Sequence, residues 1–493
     1  MSDNLIKVEA GKEGEFEIQK GTLLGEDQLP LAKDMQNWGW GTMFFTTMGM
    51  AFNIILIMQG SLLILFGNNY IQSIAIMILS SILLGILFAL NGDIGRRFGI
   101  PHSVQLRAVF GTKAGTYIVG IIRAIVALFF FGIQSWIVAM SIDGIFGILS
   151  SSWLQIAQFP RLFVLFVLFS AVQYLLMFYG YKGFKLVALY GMPVCISVLI
   201  IALFMMKNEV GTWGPVWEQG SKFAAWGGGK EFLAGFAMLF GSWCTMIINF
   251  SDLTRVAKID SKKIAVAGSL GYALGMILAA IIGMTTLSLS MASGLGTEWN
   301  PVVWIVKFPN SFIAILILVL VFIAQITTNP QANMLSPATT LANLFPSKMT
   351  IKKSSAVMTF VSLFTFPWVI LAHQETMMTY LSNVGAILAG IALIMVADYW
   401  IIRKRRIVFQ ELYNPTGIYR FWSGGINWLA IIAAALSMIL GSVFINYGGT
   451  FISAISGFLI YLALMKIFSN VLLPIKKSLT PDQFLHRDNK VNF

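Results

Sequence analysis

The chain has 493 residues, 57% of them hydrophobic and only 11% charged, with a formal net charge of +12. Its mean hydropathy is +0.79. Soluble domains carry about 25% charged residues, so these numbers exclude a soluble protein and define an integral membrane one. The two cysteines, Cys195 and Cys244, both lie in apolar stretches and imply no disulfide framework.

Residues 1–40 are polar and mixed in charge, without the continuous apolar stretch of a cleaved signal peptide. They read as a cytoplasmic N-terminal tail. Twelve candidate spans follow, at 41–67, 71–91, 116–148, 160–179, 183–206, 231–250, 264–290, 311–343, 355–372, 377–401, 425–446 and 449–468. Each is close to or above the ~20 residues that cross a bilayer as a helix. Residues 471–493 read as a cytoplasmic C-terminal tail. Arg96, Arg97, Arg107 and Lys113, then Arg255, Lys258, Lys262 and Lys263, then the tract "RKRR" at 403–406 all follow even-numbered spans. Loops after odd-numbered spans carry only Arg161, Lys207, Lys222, Lys230 and Lys307. The positive-inside rule therefore puts both termini in the cytoplasm of a multi-pass protein of the cell membrane. The basic excess needs no nucleic acid, and no obligate protein partner is evident. "RKRR" reads as an anchor at the lipid headgroups, with Asp398 just before it at the interface.

Enzymatic chemistry has little support. His102, His373 and His486 fall in loops or tails, no His/Cys cluster has metal spacing, and no glycine-rich phosphate loop follows a strand. A transporter suits twelve spans without a soluble domain, and a channel lined by carbonyls and hydroxyls is the alternative.

Two spans depart from plain lipid-facing helix. In span 8 the apolar run "SFIAILILVLVFIAQI" rises only about 24 Å at ~1.5 Å per residue, short of a ~30 Å hydrocarbon core. The polar "TTNPQANMLSP" of 327–337 that follows it therefore lies inside the bilayer. Span 3 is equally overlong and carries "FFGIQSWIVAMS" at 130–141. In a five-plus-five arrangement these two spans correspond, and inverted repeats place the substrate at broken helices that open each half, here spans 1 and 6. Those spans hold Asn53, Gln59, Ser242, Thr245 and Asn249 among apolar residues.

Ala324, Thr327 and Thr328 share one helix face at i, i+3 and i+4, and two hydroxyls there can present hard oxygen ligands to a small cation. Against this, membrane threonines commonly bond back to the carbonyl four residues earlier. Asn329 and Asn333 face elsewhere on an ideal helix, but Pro330 removes a backbone donor, so the two sets read as adjacent subsites. With 39 phenylalanines and 14 tryptophans, most aromatics here are packing. Trp243 stands out by its depth in the bilayer. Paired with Phe130 it can sandwich a planar ring, while the Gln134 and Asn333 amides match a ring's N–H and C=O edge. Spans 1 and 8 contain no ionisable residue, which favours a neutral planar substrate. Asp252 and Arg255 read as helix-end and gate-closing partners.

"FGIQSW" in span 3, "GSWCTMIINFSDLTR" closing span 6, "AQITTNPQANMLSP" in span 8 and "ADYWIIRKRRI" with "LYNPTGIYRFWSGGINW" across spans 10 and 11 resemble the nucleobase:cation symporter family. Its members are permeases for cytosine, uracil, purines, allantoin and hydantoins. The resemblance implies an all-α integral membrane protein of twelve transmembrane helices, with a five-plus-five inverted-repeat (LeuT-type) core and two peripheral helices. The first repeat would be 41–206, the second 207–401, and spans 11 and 12 would occupy 402–470. Carried across residue by residue, the substrate site would comprise Trp243, Gln134 and Asn333; the pairing of Phe130 with Trp243 and the place of Asn53 in the span 1 break add those two residues to the candidate site. The cation site would take carbonyls of Ala51, Ile54 and Ala324 and hydroxyls of Thr327 and Thr328. Phe130 stands where a second tryptophan is known, and Ile55 and Leu56 where polar residues are common. The expected function is a secondary active symporter importing a small neutral heterocycle by alternating access, with Na⁺ as coupling ion, H⁺ as the other candidate, and no cofactor. An uncoupled facilitator or channel for a small polar solute is the alternative.

Overall fold

The computed structural model describes residues 5–19, 23–25, 28–176, 192–218, 229–346, 348–421 and 424–472, without the side chains of 19, 192–195, 327 and 469–472. Eight described helices are long and apolar enough to cross a membrane, and a bent pair makes nine. The other expected spans are shorter or broken: Met192–Val210 for span 5, Trp428–Val443 for span 11, and Ile351–Ser362 followed by Pro367–Ile370 for span 9. The first part of expected span 5, 183–191, and the expected C-terminal tail from 473 lie outside the described residues, as does the Cys195 side chain.

Span 1 is the bent pair, Trp40–Ala51 and Ile54–Leu65, turning by 58° at Phe52 and Asn53. Asn53 makes the second half possible. Its side chain caps that helix by accepting the Leu56 N–H at 3.0 Å and donates to the Met50 carbonyl at 2.9 Å, so groups freed by the break find partners inside the bilayer. Span 6 is broken too, Gly229–Ser242 stopping at Trp243 before Cys244–Asn249 and Ser251–Thr254. It runs antiparallel to span 1. At one end the Asn68 amide reaches the Glu231 carbonyl at 3.1 Å, and at the other the Trp38 N–H reaches the Val256 carbonyl at 2.9 Å. Spans 3 (Gly115–Leu149, 35 residues) and 8 (Ser311–Leu344, 34 residues) are the overlong pair. Span 8 widens to a π-turn over Pro330–Met334, the local consequence of the missing proline N–H. Span 7 (Ser261–Ala292) packs backbone to backbone against span 1 through glycines. A Cβ on Gly275 would stand 2.5 Å from the Met48 carbonyl.

Segment 1–40 was expected as a tail, and its described part is folded onto the bundle. Strands β1 (Leu5–Glu9) and β2 (Glu15–Gln19) pair antiparallel, burying Phe16 4.6 Å from the Phe409 ring. Leu31 then bonds both Gly11 and Gly99, and the Gln36 amide donates to the carbonyls of Arg96 and Arg255 at 2.9 and 3.1 Å. The tract at 403–406 also departs from the headgroup reading. Lys404 and Arg405 adopt positive φ, which turns the chain back. Arg403 is buried on Asp398 at 2.6 Å and Arg405 reaches the buried Asp93 at 2.9 Å. Asp398 is itself fully buried and takes the Tyr461 hydroxyl at 2.6 Å, so it braces spans 10 and 12 from within.

Candidate functional site

The two broken helices and the two overlong ones meet around a narrow cleft with about 370 Å³ of empty space. Span 1 contributes Asn53, Ile55 and Gln59, span 3 Phe130 and Gln134, span 6 Ser242, Trp243, Thr245 and Met246, and span 8 Ala332 and Asn333. All five residues predicted around the substrate, Trp243, Gln134, Asn333, Phe130 and Asn53, therefore line one cavity.

The backbone break presents Trp243, since its neighbours Ser242 and Cys244 belong to different helices. The indole meets Tyr272 of span 7 edge to face, at 4.9 Å and 88°, and its Nε1 is buried without a partner. Phe130 packs edge-on against a different tyrosine, Tyr380 of span 10, at 5.3 Å. Gln134 Oε1 is likewise buried and unpartnered. A buried polar atom left unpaired costs about 1–3 kcal/mol, so an indole N–H and an amide oxygen in one small cavity favour a ligand that pairs with them. Asn333 donates its Nδ2 to Asn329 Oδ1 at 2.9 Å. Asn53, by contrast, has both ends of its amide engaged in the helix break.

The cation residues divide into two groups. On span 1 the Ala51 carbonyl accepts the Asn53 N–H at 3.1 Å, and Ile54 opens the second half-helix. On span 8 the Thr328 hydroxyl donates back to the Ala324 carbonyl at 2.9 Å, the ordinary back-bond for a membrane threonine. That bond uses its proton and leaves its oxygen lone pairs for a metal ion. The Thr327 side chain lies outside the described residues. Of the carboxylates considered as proton carriers, Asp143 is ion-paired with Arg161 at 2.6 Å and Asp252 is hydrogen-bonded to His102 at 2.7 Å. Arg255, read with Asp252 as a helix-end and gate-closing residue, donates to the Leu29 carbonyl at 2.9 Å. No described group of three or more His, Cys, Asp or Glu could hold a metal ion.

Sequence reasoning missed the layer behind the cavity. Asn329, the residue that orients Asn333, donates to Gln173 Oε1 at 2.8 Å and to the Phe131 carbonyl at 3.2 Å, while Gln173 donates to Ser135 at 2.8 Å. A lone glutamine inside the apolar span 4, "AVQYLL", was the available signal. Tyr272 and Tyr380, which seat the two aromatic walls, carried none.

Antiparallel broken helices around a membrane-embedded cavity define a transporter of the inverted-repeat type, not an enzyme. The family of permeases for cytosine/purines, uracil, thiamine and allantoin matches residues 30–463, and the chain belongs to that family. It is 28% identical over 473 residues to the allantoin permease of Bacillus subtilis (strain 168), covering 92% of this chain and 95% of that one. It is 31% identical over 353 residues to the hydantoin permease of Microbacterium maritypicum, covering 69% and 68%. Among solved structures it resembles Mhp1, a nucleobase-cation-symport-1 family transporter, in a closed conformation with bromovinylhydantoin bound. The TM-score is 0.79 at 25% identity over 91% of this chain and 97% of that one.

Proposed function

We propose that this multi-pass membrane protein is a cation-coupled symporter that imports a neutral, planar, amide-bearing heterocycle of the allantoin, hydantoin or nucleobase kind by alternating access. Residues 41–206 and 207–401 act as its two inverted repeats, both termini face the cytoplasm, and the cell membrane is its site. The observation that carries the reading is the single cavity in which Trp243 and Phe130 offer aromatic walls and Gln134 and Asn333 offer amides. Trp243 stacks on the ring, Phe130 covers it, and the two amides read its N–H and C=O edge. Asn53 shapes the site through the helix break.

Sodium is the coupling ion in this reading. Its support is chemical: the Ala51, Ile54 and Ala324 carbonyls with the Thr327 and Thr328 hydroxyls are five neutral oxygens beside the break, and the carboxylates Asp143 and Asp252 are already engaged. The ion ties broken span 1 to span 8 and so favours the substrate-competent state, a linkage that must be reciprocal. The experiment is uptake by proteoliposomes of allantoin, hydantoins, cytosine, uracil and hypoxanthine, with and without a Na⁺ gradient at constant pH and ionic strength. Accumulation above equilibrium that requires Na⁺, and is lost in Thr327→Val/Thr328→Val, is the expected result. Mere equilibration would indicate an uncoupled facilitator, and accumulation driven by a pH gradient alone would replace sodium with protons.

A further inference from the structure

One buried charge belongs to none of these sites. Arg123 lies on span 3 seven residues before Phe130, hence on the same helix face two turns nearer the N-terminal hairpin. It is 0% exposed. Its Nε donates to the Thr245 carbonyl at 2.8 Å, while Nη1 and Nη2 are both buried without a partner. A guanidinium stripped of water with two donors idle is an expensive arrangement.

What it touches gives this arrangement a use. Thr245 lines the cavity beside Trp243 and Met246. Seven residues further along the same span, past the interruption at Phe250, is Asp252, a carboxylate near enough to act on the Arg123 charge. Asp252 is held by His102 of the short helix His102–Phe110, through the backbone N–H at 2.8 Å and Nδ1 at 2.7 Å. The stretch from Thr245 to Asp252 is thus braced at two points, by span 3 at the cavity and by His102 at the face carrying the N-terminal hairpin. Span 6 is interrupted just before this stretch, at Trp243, and again within it, at Phe250. These are the places at which it can bend.

We infer that Arg123 is a positioning residue that couples the cavity to the gate on the hairpin side. With span 6 as seen here, Arg123 holds the Thr245 carbonyl and Asp252 stays with His102. When the segment tilts away, Asp252 leaves His102 and takes the idle Nη donors of Arg123. The idle Nη donors of Arg123 gain a carboxylate acceptor only in that second state, so Arg123 favours opening. This rests on the alternating-access reading above.

The test uses the full-length protein with spin labels on Lys113→Cys and Lys258→Cys in a Cys195→Ala/Cys244→Ala background. The expected result is two distance populations with Arg123 present and collapse onto the shorter one in Arg123→Met and in Asp252→Asn. Arg123→Lys, which keeps the charge, should recover the longer distance in part. In proteoliposomes, maximal allantoin uptake should fall about ten- to a hundredfold in Arg123→Met, the size of a lost charge-assisted hydrogen bond, while equilibrium binding stays within about twofold. The double variant should be no slower than the slower single one. Unchanged distances in Asp252→Asn, or single-variant losses that multiply in the double, would overturn the coupling role. Failure of the unsubstituted protein to take up any of allantoin, hydantoins, cytosine, uracil and hypoxanthine would count against the transport reading, since the distance measurement needs no substrate.

Discussion

Trp243 and Gln134 each leave a polar atom buried and unpaired in one cavity, so their substitution separates binding from folding. Trp243→Ala, Gln134→Ala and Asn333→Ala should each weaken substrate binding while membrane insertion is unchanged. A neutral hydrogen bond is worth about 0.5–1.5 kcal/mol, and more where its partner stays buried and unsatisfied, so affinity falls several-fold to about a hundredfold. Calorimetric titration of the purified variants measures this, and wild-type affinity in Trp243→Ala would remove the stacking role. Gln173 touches no cavity wall, yet it fixes Asn329, which fixes Asn333. Gln173→Leu should therefore weaken binding less than Asn333→Ala and shift preference among hydantoins, allantoin and uracil. A competition series shows it. The cavity residues were legible because amides and a tryptophan are conspicuous at bilayer depth. Tyr272 and Tyr380 were not, since nothing in a sequence separates a tyrosine that seats a binding wall from one that only packs.

The broken spans show which local signals survive in a membrane chain. Polar residues and small side chains marked the middle of spans 1 and 6, whereas the role of Asn53 emerged only from its bonds to Leu56 and Met50. An asparagine in an apolar run is equally well a ligand or a cap, and tertiary geometry decides. Asn53→Ala removes a cap worth about 0.5–2 kcal/mol and strands groups at the break. It should lower thermal stability and sodium affinity together, whereas a residue that only touched substrate would leave both unchanged; melting curves with and without NaCl distinguish the two. Elsewhere charge was misleading. The tract at 403–406 has the composition of a headgroup anchor, but the chain reverses at Lys404 and Arg405, so Arg403 is buried and the partly exposed Arg405 reaches back to Asp93, and backbone reversal leaves little trace in composition. The hairpin was missed for a related reason: "LIKVE" and "EFEIQ" alternate as strands do, but five residues are too few to stand out beside helices of thirty.

On the scale of the whole molecule, that hairpin ties together segments far apart in the chain. Glu13 pairs with Arg97 at 2.6 Å, Phe16 packs tilted against Phe409, and the Tyr413 hydroxyl donates to the Gln28 carbonyl at 2.9 Å. Deleting 1–19 should lower the melting temperature and speed exchange of backbone amides at the ends of spans 2, 6 and 10, with little effect on equilibrium binding at the cavity. Hydrogen–deuterium exchange reads the first effect and calorimetric titration the second. Phe16 and Phe409 are also separated by most of the protein's synthesis. At a ribosomal rate of roughly 5–20 residues per second, Phe16 waits on the order of 20 to 80 s for its partner. Through that interval the strands have an unsatisfied apolar face and open edges, while spans 1 to 9 are already being placed in the bilayer. Closure of the hairpin over Phe409 is therefore a late event in assembly, and chains stalled before span 10 would present that face to chaperones and proteases as a sign of incompleteness.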